Sequence, residues 1–424
     1  MQKVIIISYF FPPSNFVGGE RTASWAKHLA DNNIYPIIVT RQWNDHQKDL
    51  TDYVIENDLQ IEKYDTFEVI RLPFKKSLRD RLSKYAWLKP LQKALTLKEL
   101  IFSNFFIGAL PYSNFYDETR KRLQEDPSIK AVIATGRPFQ SFAIGHKIKK
   151  EFDVLWIPDY RDEWNSHQNL GDQNFIERYV QRLMRKSELK WTSNADFFLT
   201  VSDTWVDSIS GLIKKEGKAV YNGYVELKEL QQSATLSERL IITYAGTLYP
   251  TQNLSLFLDA CISIFSNTEL DFEVRFIGAN VIPEEELKIK RKIKGHESHF
   301  VFHDRMPRNE LDQFMIETDV LYLTGFEKIK GWFPVKLFEY YATGRPLLLC
   351  PSDNDVMENF IQKTNIGHMA NTAEECENTI VQLIEQKASG ENLKYDRNLE
   401  YGKTFSREFQ TANLAKYIHE KLKH

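Results

Sequence analysis

The sequence predicts an α/β protein of two domains, each a parallel sheet flanked by helices. Three observations predict it. Short β-branched runs alternate with longer stretches of helical spacing, which is the pattern of repeated βα units. The alternation breaks at the turn signal Asn222-Gly223 and the polar stretch to Glu238, then begins again. Finally, 424 residues exceed what one ordinary hydrophobic core organises.

In the first half, strands are predicted at Val4–Ser8, Pro36–Thr40, Glu68–Leu72, Ala131–Ala134, Val154–Pro158, Ala195–Val201 and, more briefly, Lys218–Tyr221. Arg21–Asn32 has helical spacing between the first two. In the second half the strands are Leu240–Ala245, Glu273–Ile277, His299–Phe302, Asp319–Leu323 and Pro346–Cys350. Residues 405–424 form a final helix with Phe409, Leu414, Ile418 and Leu422, whose apolar side needs a surface to pack on. The expected division is 1–222 together with 405–424, and 223–404, both Rossmann-like. Neither half has GxGxxG after its first strand, which argues against a dinucleotide-dependent dehydrogenase. In its place stand Gly18-Gly19, and Gly246-Thr247-Leu248.

Composition excludes several classes. Lys and Arg number 55 against 58 Asp and Glu, so the chain is not drawn electrostatically to nucleic acid. Cys261, Cys350 and Cys376 are scattered, and the histidines show no ligand spacing. A reducing compartment and no metal site are expected. Val4–Ile7 is too short an apolar run for a signal peptide, and no run reaches the roughly 18 apolar residues of a membrane span. A cytoplasmic location is expected.

Residues 331–346 carry the most chemistry. Pro334 suits a first helical position, Gly344 a left-handed residue just past the end, and Pro346 bars continuation. Lys336 falls in the first turn, where the helix dipole disfavours a cation. It makes sense there if an anion shares the site, because helix N-termini bind phosphate. Lys336, Glu339 and Tyr340 share one face, able to hold a phosphate, a ribose diol and a sugar. A capped surface helix with solvated charges is the competing reading.

The chain as a whole resembles retaining glycosyltransferases of the GT-B architecture, family four in particular. The motifs that carry the likeness are Ser8-Tyr9-Phe10-Phe11-Pro12-Pro13 with Gly18-Gly19, Thr200-Val201-Ser202, Tyr221-Asn222-Gly223-Tyr224, Tyr244–Leu248, Phe276-Ile277-Gly278 and Phe333–Pro346. The resemblance implies two Rossmann-like domains facing across a cleft, the C-terminal helix packing back on the N-terminal domain. It implies a nucleotide-diphosphate sugar, by family habit a UDP-sugar, bound mostly by the C-terminal domain. A hexosyl or N-acetylhexosaminyl group would pass to a glycan or polyprenyl-linked acceptor on the N-terminal domain, in cell-surface polysaccharide synthesis. No cofactor and no obligatory metal are implied.

By the same resemblance the donor meets Gly18, Gly19, Gly246, Thr247, Pro334, Lys336, Leu337, Glu339 and Tyr340. Glu339 matches the second glutamate of the family's E-x7-E motif, with Gly331 where the first would stand. Thr247 and Gln252 occupy positions where the family often has Arg and Lys, so Lys336, with Lys328 or Lys330, carries more of the diphosphate charge. Glu327 lies near the missing glutamate's place. Trp156–Trp164 resembles the Asp-x-Arg-Asp-x-Trp stretch of polysaccharide-type members, which implies Asp159 and Asp162 at the acceptor, and Arg137, at the end of the preceding strand, should border the same cleft. Asp162, Arg161 and Lys336 are the expected catalytic groups. Phe139 stands where relatives often carry a histidine, so no catalytic histidine is assigned.

Residues 74–106 are basic and aromatic, with Lys75, Lys76, Arg79, Arg81, Lys84, Lys89, Lys93 and Lys98 interleaved with Trp87, Leu88, Leu91 and Leu95. They read either as an excursion packed on the sheet or as a peripheral contact with an anionic membrane. An epimerase on the same architecture and a non-catalytic binding protein are the alternative functions.

Overall fold

The computed structural model of the chain describes residues 1–14, 17–43, 58–74, 77–82, 85–110, 112–166, 174–225, 239–326, 329–390, 393 and 395–423. Lys75, Lys76, Lys84, Glu327 and Lys328 lie outside them. The chain divides into two compact units, one of Met1–Tyr221 with Glu408–His424 and one of Asn222–Arg407.

The first unit has an eight-stranded sheet: β1 (Gln2–Ile7), β2 (Ile34–Arg41), β3 (Gln60–Lys63), β4 (Glu68–Leu72), β5 (Ile129–Thr135), β6 (Leu155–Tyr160), β7 (Phe198–Thr200) and β8 (Gly217–Ala219). Their order is β3-β4-β2-β1-β5-β6-β7-β8, and β3 alone runs antiparallel to its neighbour. The central strands are near-continuous apolar runs because helices cover both faces. Val4, Ile6, Ile38, Ile133 and Leu199 are fully buried in one cluster. The helices used below are α1 (Glu20–His28), α2 (Lys89–Ser103), α3 (Phe175–Thr192) and α4 (Asp203–Ile213). The expected helix to Asn32 is shorter than its spacing suggests. It gives way to a 3-10 turn at Ala30–Asn32, ended by Asn33 in the left-handed region.

The second unit has six parallel strands: β9 (Leu240–Ala245), β10 (Phe272–Ile277), β11 (Phe300–His303), β12 (Val320–Leu323), β13 (Leu347–Leu349) and β14 (Gly367–Met369). Their order is β11-β10-β9-β12-β13-β14. Helix α5 (Val335–Thr343) joins β12 to β13.

The last helix, α6 (Arg407–Lys421), packs into the first unit, where Leu414, Ala415 and Ile418 join the cluster of Val4 and Leu199. His419 Nδ1 is 3.0 Å from Gln2 Oε1, and Lys421 forms a 2.6 Å ion pair with Glu216.

In both sheets the strand order reverses beside a central strand, between β1 and β5 and between β9 and β12. Open α/β sheets bind ligands beyond the carboxyl ends of the strands at such points. The loops after β1, β5, β9 and β12 are therefore where chemistry is to be sought.

Candidate functional site

In the second unit the chain leaves β9 at Ala245 and turns at Gly246, whose φ of +113° is a conformation only glycine adopts without strain. Helix α5 starts beside this turn. Its N-cap is Pro334, one residue later than the sequence suggested, and no side chain caps its amides. An uncapped helix N-terminus at a strand end is a ready anion site.

Lys336 projects from the first turn onto the end of β9. Its Nζ donates to the Tyr244 hydroxyl at 2.8 Å and to the Thr247 carbonyl at 3.4 Å, and lies 4.2 Å from the centre of the Tyr244 ring. Burial of the ammonium lowers its pKa to about 7, against the opposing pull of Glu339. The side chain is thus held over Gly246, where an added Cβ would lie 3.3 Å from Nζ. An anion arriving beside this helix N-terminus favours the charged form of the ammonium.

Tyr340 and Leu337 do different work from that expected. Tyr340 is buried, and its hydroxyl accepts from the Ala245 N–H at 2.7 Å and donates to the Ala245 carbonyl at 3.1 Å. It pins α5 to β9 and has no surface for a sugar. Leu337 is wholly buried and its N–H donates to Pro334 O, so it packs the core beneath the site. Pro334 is buried as the N-cap, while Glu339 is half-buried on the face of Lys336. Gly331, at the place of the family's first glutamate, has φ +73°, and its N–H donates to the Asp355 carboxylate. Lys330 donates to the Asp353 carbonyl at 2.6 Å, holding a loop.

Sequence reasoning passed over two groups here. Tyr244 opens the Tyr244–Leu248 motif, but its role as the acceptor for Lys336 depends on the register of α5 over β9. Arg305 is exposed in the loop after β11. A Cβ built on Gly278 would lie 3.7 Å from both the Arg305 Cα and the Gly246 carbonyl carbon. That proximity puts a guanidinium within side-chain reach of the Gly246 turn, supplying a cation near the place where Thr247 and Gln252 supply none.

In the first unit, Gly18 and Gly19 form a 3-10 turn leading into α1. Their missing side chains make room for the protein itself. A Cβ on Gly18 would lie 2.3 Å from Arg161 Nη1, and one on Gly19 3.2 Å from the Phe11 backbone. Arg161 donates to the carbonyls of Gly136 at 2.5 Å, Gly18, and Arg137 at 3.4 Å, and burial depresses its pKa. The expectation of Arg161 as a catalytic group is corrected by this geometry: it clamps the loops after β1 and β5 together.

Asp159 is likewise corrected. It is completely buried and its carboxylate takes Arg21 Nη2 at 2.9 Å and Nε at 3.3 Å, leaving no face for an acceptor. Burial raises its pKa and Arg21 opposes the rise. Arg21 was missed because an arginine in the first turn of an amphipathic helix reads as a solvated residue. Asp162 is half-buried and pairs with the exposed Arg137 at 3.4 Å, rather than with Arg161. Both sit at the carboxyl ends of β5 and β6. Phe139 stacks on Trp164 with ring centres 4.8 Å apart. Among the described residues, no group of acidic, histidine and cysteine side chains has the geometry of a metal site.

Residues 239–386 match the family model described as glycosyl transferases group 1, a span that contains Gly246, Lys336, Glu339 and Tyr340. No curated protein matches the chain in sequence. Among solved structures, sucrose-phosphate synthase from Thermosynechococcus elongatus is similar with a TM-score of 0.66 and 13% identity, covering 100% of this chain and 99% of that one. HepE from Anabaena, in complex with UDP and glucose, gives 0.57 and 11%, covering 99% and 100%. WaaG, a glycosyltransferase involved in lipopolysaccharide biosynthesis, gives 0.57 and 14%, covering 98% and 99%. Along its whole length, then, the chain has the two-domain α/β fold of the GT-B glycosyltransferases, and its second unit carries the match to glycosyl transferases group 1.

Proposed function

We propose that this chain is a glycosyltransferase that moves a hexosyl or N-acetylhexosaminyl group from a nucleotide-diphosphate sugar, a UDP-sugar first, to a glycan or polyprenyl-linked acceptor, with retention at the anomeric carbon. The observation that carries the reading is Lys336. It is a desolvated ammonium held over the Gly246 turn, beside the uncapped amides of α5, inside the span that matches the transferase family. The similar HepE structure, which contains UDP and glucose, supports the choice of base.

In the transfer, the bond from the anomeric carbon to the diphosphate oxygen breaks and one to the acceptor oxygen forms. Charge develops on the leaving diphosphate, where Lys336 and the first amides of α5 stabilise it. The acceptor hydroxyl's proton passes to the Asp162 carboxylate, which pairs with Arg137 at 3.4 Å. No metal is needed for the charge that Lys336, Arg305 and the amides meet. Glu339 takes the ribose hydroxyls.

A membrane-borne acceptor fits the surface of the first unit. Trp87, Leu91, Phe102, Phe105 and Phe106 are exposed along and beyond α2. Lys190 of α3 lies 5.2 Å from the Phe105 ring, and Lys89, Lys93 and Lys98 lie on α2. Such a basic, aromatic face suits an anionic leaflet. Arg79 is not part of it, being paired with Glu99 at 2.8 Å and with Asp80. Among the described residues no helix is long and apolar enough to cross a membrane.

The test is a thermal-shift panel of UDP, GDP, ADP and their sugars, followed by donor turnover with Lys336→Ala. A UDP-sugar should raise the melting temperature of the native chain, and the variant should lose both shift and turnover. An unchanged melting temperature across the panel would overturn the reading.

A further inference from the structure

A hollow lies wholly within the first unit, beside the segment that follows Asp162. It holds about 400 Å³ between α3, α4 and the segment after β6, and is lined by Asn165, Ser166, Arg182, Arg185, Ser208 and Gly211 among others.

Three of its lining residues, which form its floor, are tied to two buried carboxylates behind them. Glu163 accepts from the Ser166 hydroxyl at 2.8 Å and the Ser208 hydroxyl at 2.5 Å. Glu188, fully buried, accepts from the Tyr160 hydroxyl at 3.0 Å and from Asn165 Nδ2 at 2.7 Å. Burial pushes the Glu188 carboxyl up to about 7, with these two hydrogen bonds opposing it. The consequence is directional. The protons of both serines and an amide hydrogen of Asn165 are committed downward, so the oxygens of all three are left as acceptors.

The walls have the opposite character. Arg182 and Arg185 are exposed guanidiniums on α3, on the same side of the helix at i and i+3. On the facing helix, Gly211 borders open space, where a Cβ would meet nothing within 4 Å. Hydrogen-bond acceptors below and paired cations above suit a ligand that brings hydroxyl donors and an anionic group together. A neutral sugar would make no use of the guanidiniums, and a bare anion none of the acceptors.

We propose that this hollow is a subsite for an acidic saccharide, a sugar bearing a carboxylate or phosphate, as part of the acceptor glycan. The proposal rests on the reading of the chain as a glycan-modifying transferase, and adds that the glycan is charged.

The test is calorimetric titration of the full chain with a galacturonic acid oligomer, its neutral galactose counterpart, a sugar monophosphate and inorganic phosphate. The acidic oligomer or the sugar phosphate should bind saturably and at least about tenfold more tightly than the neutral sugar or phosphate alone. Replacing Arg182→Gln with Arg185→Gln should weaken that binding by about tenfold, and Gly211→Trp should remove it by filling the space. Both variants should keep the UDP-sugar thermal shift, which reports an intact fold. If Gly211→Trp fails to fold, the arginine variant still decides. Equal binding of the neutral sugar, equal binding of inorganic phosphate, no binding at all, or indifference to the arginine substitutions would overturn the proposal. Acidic-saccharide binding in a chain that shows no nucleotide shift would instead sink the transferase reading and leave the subsite standing.

Discussion

The Lys336 ammonium donates to the Tyr244 hydroxyl at 2.8 Å while lying over the same ring, 4.2 Å from its centre. The tyrosine thus holds the lysine at the strand end in a low-dielectric setting, which is why its pKa falls to about 7. Since the unfolded value is near 10.5, the folded chain binds fewer protons between about pH 7 and 10.5. Its burial is therefore most unfavourable below pH 7, and stability from this group rises as pH rises through that window. Lys336→Met should stabilise the empty protein, most at pH 7 and below, by denaturant titration across pH. Affinity for a UDP-sugar should run the other way. It should be steady below pH 7 and fall by up to about tenfold per pH unit above it, because binding must then take up a proton. Calorimetry in buffers of different ionisation enthalpy reads that uptake, and Lys336→Met should abolish it.

Gly246→Ala should impair the same site by geometry. At φ +113° a side chain is strained, and its Cβ would crowd Nζ at 3.3 Å. A stability loss of about 1–3 kcal/mol is expected. UDP-sugar affinity should drop with it, measured by thermal shift against ligand concentration.

Tyr340→Phe removes the hydroxyl that serves both the N–H and the carbonyl of Ala245. A buried backbone donor is left unpaired, so about 1–3 kcal/mol of stability should be lost. Urea unfolding measures it. Because Tyr340 pins α5 rather than meeting the sugar, turnover at saturating donor should fall far less than with Lys336→Ala.

Asp159→Asn should be costly to the fold. Arg21 would keep a buried charge with only the Val220 carbonyl, at 2.5 Å, and a neutral amide to meet it. Roughly 3–5 kcal/mol is expected, read from chemical denaturation. The double replacement Arg21→Met with Asp159→Leu should recover much of that loss.

Arg305→Ala should leave the melting temperature of the empty chain unchanged, because the residue is exposed. It should weaken UDP binding by about tenfold, as expected for one charge-assisted contact to a phosphate. An unaltered affinity would exclude Arg305 from the diphosphate's surroundings.

The sheet architecture was legible because parallel strands buried on both faces are written as apolar β-branched runs, as in Val4–Ile7 and Leu240–Ala245. Two edge strands were not. Gln60–Lys63 is exposed along most of its length and lacks an apolar run, while Gly367–Met369 is three residues around a histidine. The ends of α5 were readable to within one residue from Pro334 and Gly344. What escaped was the direction of side chains. Tyr340 shares a helix face with Lys336, yet one reaches into the backbone of Ala245 and the other over Gly246. Arg161 and Asp159, neighbours in an evident motif, are taken by the Gly18 carbonyl and by Arg21, which lie more than a hundred residues away in the chain. Pairings of that range are set by tertiary packing and leave no local trace.

The residence of α6 in the core of the first unit bears on how the molecule is made. As a ribosome delivers the chain, residues 222–407 emerge and can condense while the earlier unit still lacks Leu414 and Ile418. The core of the amino-terminal half is therefore completed only once the segment carrying Leu414 and Ile418 has been made.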